Sequence, residues 1–346
     1  MKRLTPFVPL LLLAALLLSP AAALAGAKHG LKLWWNNVFP ALLPGLIAVR
    51  AAQLLGLLRL GSGHPRGKLV VVMGFSLASG APNGAKLLHA LVQDGSLSPQ
   101  DAERAMPLVN SVSPLFLVSI IASELLKNKA LFLPLSAGFY GVTLCLLVPR
   151  MLRHCADPTP AAPLKATPAS FFEALSAAIE GGMLDMLRIG GCIILACTML
   201  SLVHPLLSSP SLYAAISGCM EVSTGVSAIA ALPLPVRVKV GILTGVAAFG
   251  GLSLAMQTAC CYPGLRMGPY LLRKLGLGIL TGWASYLLFP LFPNVTSVFA
   301  GRQELIQRSL SLSALLLSSL LSLAFMGVLG LMMSGTHTNP NIVSKE

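Results

Sequence analysis

Ser79-Gly80-Ala81-Pro82-Asn83-Gly84-Ala85-Lys86 interrupts an apolar run in the first half of this chain, and Glu221-Val222-Ser223-Thr224-Gly225 interrupts one in the second. Lipid gives backbone N–H and C=O groups no partner. Non-helical chain at membrane depth must therefore be enclosed by protein or line a wet cavity. Two such breaks at related places in two halves are the sequence mark of a transport site. The reading follows only if the chain spans a membrane, and composition supports that. Of 346 residues, 55% are hydrophobic and 10% are charged, where a soluble domain carries about 25% charged residues. Mean hydropathy is +0.81. Apolar runs of helical length recur from end to end, and too few polar residues remain to cover a soluble surface.

The net charge of +13 comes from 24 Lys and Arg scattered through short loops. No basic run is interleaved with aromatics, so membrane topology and anionic lipid explain the charge better than nucleic acid does. The expected partners are membrane lipids and a small-molecule solute, not nucleic acid, and a homo-oligomer is left open. The seven cysteines (Cys145, Cys155, Cys192, Cys197, Cys219, Cys260, Cys261) include no C-x-x-C pair. They read as small buried hydrophobes, with no disulfide framework and no metal site. H-E-x-x-H, G-x-S-x-G and P-loop patterns are missing, so neither catalysis nor a cofactor is expected.

Residues 1–30 admit two readings. A basic start, an apolar core and Ala23-Leu24-Ala25 fit a cleaved signal peptide; the run from Phe7 to Ala25 is also nearly long enough for a first transmembrane helix. Residues 31–150 form a first repeat. It begins with a helix over about Val38 to Leu58 that Pro40 and Pro44 bend, with Trp34-Trp35 as an interfacial belt. Residues 69–93 read as two half-helices meeting at Gly80–Gly84, a re-entrant hairpin. A helix then opens with Ser98 as N-cap and Pro99 at its first position. The break Asn110-Ser111-Val112-Ser113-Pro114 follows, then spans over 115–126 and 130–148. Residues 151–168 are a Pro- and Ala-rich cytoplasmic linker. In the second repeat, 169–290, residues 169–185 read as an amphipathic surface helix. A span over 189–203, the Glu221 break, the Gly250-Gly251-Leu252-Ser253 interruption and a span over 269–289 complete it. Residues 291–346 hold a loop, a last span over 310–333 and a tail.

The expected fold is an all-α polytopic membrane protein of two inverted-topology repeats, each with a re-entrant helical hairpin and a broken helix. With the N-terminus in the cytoplasm, Arg59, Arg66, Lys68, Arg150, Arg153 and Arg266 fall inside. Lys28, Lys32, Lys127, Lys129, Arg237 and Lys239 fall on the wrong side of the positive-inside rule.

The candidate substrate-binding residues follow from the breaks. Pro82, Asn83 and Gly84 would start a half-helix whose free amides attract an anion, with Lys86 adding a charge; an ordinary Pro-Asn-Gly surface turn is the rival reading. Asn110 and Ser113 offer hydrogen-bonding groups or merely satisfy a proline kink. Glu221, costly at membrane depth, would bind a proton or cation or join the two halves, unless it caps a helix near water. Thr224 and Gly225 complete its turn. Gly250 and Gly251 permit close backbone approach, and Ser253 and Gln257, four apart, share a helix face. Arg188 would pair with Asp185 or Glu180, meet an anion, or snorkel to the surface.

The same segments resemble the YlbJ-type sporulation integral membrane proteins. The resemblance rests on Gly80-x-Pro82-x-Gly84-Ala85, Asp101-Ala102-Glu103-Arg104, Asn110-x-x-Ser113-Pro114-Leu115-Phe116, Gly190-Gly191, Glu221-x-x-Thr224-Gly225 and Gly250-Gly251-Leu252-Ser253-x-x-x-Gln257. It covers about residues 30–290 and departs at Asn110-Ser111, where the family commonly shows two asparagines. It implies a nucleoside-recognition or gate-domain core. It also implies a role in endospore formation, in the mother-cell-derived membrane around the forespore, passing dipicolinic acid, a small dianion. A nucleoside or nucleobase carrier, or a non-transporting scaffold, is the alternative on the same fold.

Overall fold

The structure is a computed structural model that describes residues 7–56, 65–153 and 170–292. The basic start, most of the linker and the last span of the sequence reading lie outside these residues. All regular structure among the described residues is helical.

The first rod is longer than the sequence suggests. Helices α1 (Phe7–Leu18) and α2 (Pro20–Leu33) lead through a π-helical turn, Trp34–Val38, into α3 (Phe39–Leu54). The wide turn has a local cause. Pro40 cannot donate to the carbonyl four residues back, at Asn36, and the Phe39 N–H reaches Trp34 O instead. The first half continues with α4 (Pro65–Ser79), the break, α5 (Asn83–Gln93), α6 (Pro99–Val109), a second break, a π-helical segment Phe116–Leu125, and α7 (Phe132–Arg153). Ser98 does cap α6, its Oγ accepting from Asp101 N at 3.1 Å.

The second half repeats that order. Its rod is α8 (Phe171–Val203), its helix pair α9 (Pro210–Met220) and α10 (Val222–Ala231), its interrupted helix α11 (Val236–Phe249) and α12 (Gly251–Cys261), and its closing span α13 (Met267–Leu288). Residues 169–185 are not a separate surface helix. Ser170 caps α8, which then runs unbroken for 33 residues. Three of its four glycines face packed partners rather than ending the helix: Gly181 lies under the Arg50 side chain, Gly182 against Ile47 and Gly190 under the Trp34 ring.

Contacts between halves come in matched pairs. The α2–α3 rod packs on α8, and α7 packs on α13. Helix α6 meets α13 as α11 meets α7, and α5 meets α12 as α10 meets the π-helical segment. Small residues permit the closest approaches, as they must where lipid supplies no hydrophobic drive. Gly26 and Gly30 sit against α8, and Gly241 and Gly245 against Gly278 and Gly282.

The apolar core runs through both halves, from Val72 and Met73 to Leu243 and Leu277. The outside is apolar too. Leu272, Ile279, Leu280, Trp283 and Leu287 on α13 are each more than half exposed. In water, each such side chain forgoes roughly 1.5–3 kcal/mol of burial, so this face belongs in lipid. Four helical stretches among the described residues are long and apolar enough to cross a bilayer: Pro20–Leu54, Lys129–Leu147, Phe171–Leu206 and Val236–Cys261. The chain is a helical integral membrane protein.

Candidate functional site

The four helix interruptions are built differently. The first spans Gly80 to Pro82, with a cis Ala81–Pro82 bond. Gly80 takes φ +78, and a Cβ there would sit 2.8 Å from Ser113 N. Only glycine suits both the backbone and the space. Ala81 N donates to Ser111 O at 2.7 Å, so the first two breaks are tied together. Gly84 lets α5 rest on the end of α6, where a Cβ would lie 2.7 Å from Val109 O.

The third interruption is one residue, Glu221. Its N–H donates to Ser217 O at 2.8 Å and closes α9. Its carboxylate accepts from Ser223 N at 3.0 Å and Thr224 N at 2.7 Å and opens α10. Glu221 is 1% exposed. It is therefore a helix cap, as the rival reading held, but a buried one rather than one near water. Gly225 packs directly on Gly218, drawing α9 and α10 together. The fourth interruption is Gly250, at φ +83, followed by Gly251 against Met220 O.

These breaks wall a cavity of about 460 Å³, within the range of small-molecule sites. Ala81, Val112 and Ser113 come from the first half; Glu221, Val222, Ser223, Ser253 and Gln257 come from the second. Of the residues that the sequence proposed, Ser113, Glu221, Ser253 and Gln257 line it. Gln257 Nε2 donates to Ser253 Oγ at 3.3 Å, confirming their common face. The other proposed residues shape the walls. Pro82, Asn83, Gly84, Thr224, Gly225, Gly250 and Gly251 are buried beside the breaks, with Thr224 Oγ1 3.7 Å from Cys197 Sγ. Asn110 Nδ2 donates to Thr258 Oγ1 at 2.7 Å, and Thr258 in turn meets the Tyr270 hydroxyl at 3.2 Å. Asn110 thus joins the two halves behind the cavity.

Lys86 does not reach the cavity. Its ammonium is paired with Asp185 on α8, with Arg50 and Arg188 at 3.6 and 3.7 Å from the same carboxylate. The expected lone cation at a half-helix start is thus already engaged, because a carboxylate 99 positions away folds onto it.

Several residues were missed. Asn36 and Asn37 line the cavity from the first π-helical turn, and Ser119 and Glu124 from the second π-helical segment. Such wide turns are frequent at functional sites; the signal was the polar pair after Trp34-Trp35, and Glu124 in an apolar run. Lys274 is buried on α13, its ammonium donating to Ser111 Oγ at 3.2 Å and Ala248 O at 2.9 Å. It bridges the second interruption to the last turn of α11, just before Gly250. Among the described residues the lining thus holds two carboxylates, Glu124 and Glu221, with amides and hydroxyls, and no Lys, Arg or His.

The chain is 35% identical over 141 residues to the sporulation integral membrane protein YlbJ of Bacillus subtilis (strain 168), a match covering 38% of this chain and 35% of the relative. The YlbJ-type resemblance read from the motifs is borne out by this match. The match spans about a third of the relative's length. No family model matches the chain, and no solved structure matches it.

Proposed function

We propose that this protein is a membrane transporter that carries a small polar solute through the cavity between its two halves. The observation that supports this most is the lining: polar residues from interruptions in both halves converge on one partly open cavity with largely apolar walls. The matched contacts between halves fit a two-fold relation, and inverted repeats with re-entrant hairpins would supply it. In that arrangement rocking one half against the other exposes the cavity to each side in turn.

Dipicolinate is the first solute to test, on the strength of the YlbJ-type motifs. Ser113, Ser253, Gln257, Asn36 and Asn37 supply hydrogen bonds for its carboxylates and ring nitrogen. The described lining residues supply no counter-charge, so the dianion would enter with protons or a cation offsetting its charge beside Glu124 and Glu221. A second reading has specific support. Amide, hydroxyl and carboxylate groups on apolar walls suit a neutral nucleoside or nucleobase, which needs no counter-ion.

The test is flux of labelled dipicolinate into proteoliposomes, with uridine and adenosine as competitors. Saturable dipicolinate flux unaffected by nucleosides supports the first reading, and nucleoside flux the second. No saturable flux of either would leave the scaffold alternative.

A further inference from the structure

Among the described residues, Asp185 is the hub of a charge cluster with an excess of two positive charges. Its carboxylate, 5% exposed, faces Lys86, Arg50 and Arg188. Lys86 takes it closely. The two guanidiniums stand off at 3.6 and 3.7 Å, beyond good hydrogen-bond length, and their side chains are 42% and 61% exposed. Each guanidinium carries five N–H donors in a planar fork that suits carboxylate or phosphate. One shared carboxylate cannot satisfy them.

The surroundings say what completes the set. On α8, Arg188 lies among exposed apolar side chains: Leu184 and Leu187 before it, Leu195 and Met199 after it. This face is turned to lipid. Its depth can be estimated from the helix. The far end of α8 is Val203, where the chain turns through His204–Leu206 toward α9. From Arg188 to Val203 the helix rises about 22 Å at 1.5 Å per residue. The hydrocarbon core is about 30 Å thick. The Cα of Arg188 therefore lies about 8 Å inside the opposite face, and an arginine side chain spans roughly that distance when it snorkels to the headgroups. Arg50 comes from the neighbouring rod, its guanidinium draped over Gly181, one helical turn before Asp185. Both forks thus reach the headgroup level from adjacent helices, above an apolar face fit for acyl chains.

We infer that Arg50 and Arg188, held by Asp185, form a binding site for the phosphate of an anionic phospholipid at the α3–α8 seam. The inference is independent of the transport reading. A lipid phosphate supplies the negative charge that the cluster lacks, and its chains run inward over Leu195 and Met199. Zwitterionic lipid offers the same phosphate but brings its own cation, so the site discriminates by headgroup charge.

The experiment is native mass spectrometry of the full chain in detergent, titrated with phosphatidylglycerol or phosphatidylcholine. The expected result is at least tenfold tighter retention of phosphatidylglycerol. The Arg50→Gln/Arg188→Gln double variant loses that preference, whereas Lys28→Gln/Lys32→Gln, an equal charge change at exposed positions of α2, keeps it. Equal retention of the two lipids by the wild type overturns the inference without recourse to any variant. So does loss of preference in both double variants, which would make it a net-charge effect. Displacement of phosphatidylglycerol by 10 mM inorganic phosphate would make this a free-anion site and also overturn it.

Discussion

Replacing Glu221 with alanine should cost far more than an ordinary surface cap. Both carboxylate oxygens are engaged, by Ser223 N at 3.0 Å and Thr224 N at 2.7 Å, and the residue is 1% exposed. An exposed N-cap contributes about 1 kcal/mol. Here alanine leaves two donors without an acceptor, and an unsatisfied buried group costs about 1–3 kcal/mol. The sum is about 2–6 kcal/mol. Because Glu221 also borders the cavity, water relieves part of this, and about 2–4 kcal/mol is expected. At roughly 2–4 °C per kcal/mol for a chain of this order of size, the midpoint should fall about 5–15 °C. Glu221→Gln offers one acceptor oxygen and sets an NH2 group against the other amide, so it should fall between. The assay is thermal unfolding of purified protein in one detergent, followed by circular dichroism. An alanine variant within about 0.5 kcal/mol of wild type would refute the capping argument: α10 would then not depend on that carboxylate.

Three further outcomes follow from the same contacts. Asp185→Asn leaves Lys86, Arg50 and Arg188 facing one another, so it should destabilise more than Lys86→Met, by about 1–3 kcal/mol in the same melts; the reverse order contradicts the cluster. Lys274→Met removes a buried amine whose bonds among the described residues go to neutral acceptors, Ser111 and Ala248. Its thermal midpoint should hold or rise while solute flux falls, and a lowered midpoint with normal flux would make Lys274 a structural residue. Gly225→Val forces a side chain into Gly218 and parts α9 from α10, costing about 1–3 kcal/mol, whereas Gly276→Ala, which meets nothing within 4 Å, should be neutral.

The breaks were legible because they violate the composition around them. Pro82 and Asn83 between apolar half-segments, Glu221 alone in an apolar run and Gly250-Gly251 in a span each cost something that a plain helix would avoid. Their convergence on one cavity was legible only as an analogy between halves, and Ser113, Glu221, Ser253 and Gln257 meet it. The partner of Lys86 was not legible, since an ion pair between positions 86 and 185 leaves no local trace. The surface-helix reading of 169–185 failed for a related reason. Its amphipathic pattern suggested water along one face, but Gly181 and Gly190 are filled by Arg50 and Trp34 from the first rod, which turns the stretch into part of one long helix. The π-helical turns were hidden as well. Pro40 disturbs the helix behind it, and the sequence alone reads that as a bend rather than as the placement of Asn36 and Asn37 in a cavity wall.

The central claim is that solute occupies the space between the helix interruptions. It is tested most directly by placing one cysteine at Ser253 in a chain whose native cysteines are replaced, and timing its reaction with a water-soluble maleimide. The account predicts that Ser253→Cys reacts, that saturating dipicolinate or nucleoside slows it at least fivefold, and that lipid-facing Leu280→Cys does not react. Labelling of Ser253→Cys at one rate with and without every solute tried, or no labelling at all, would contradict the claim.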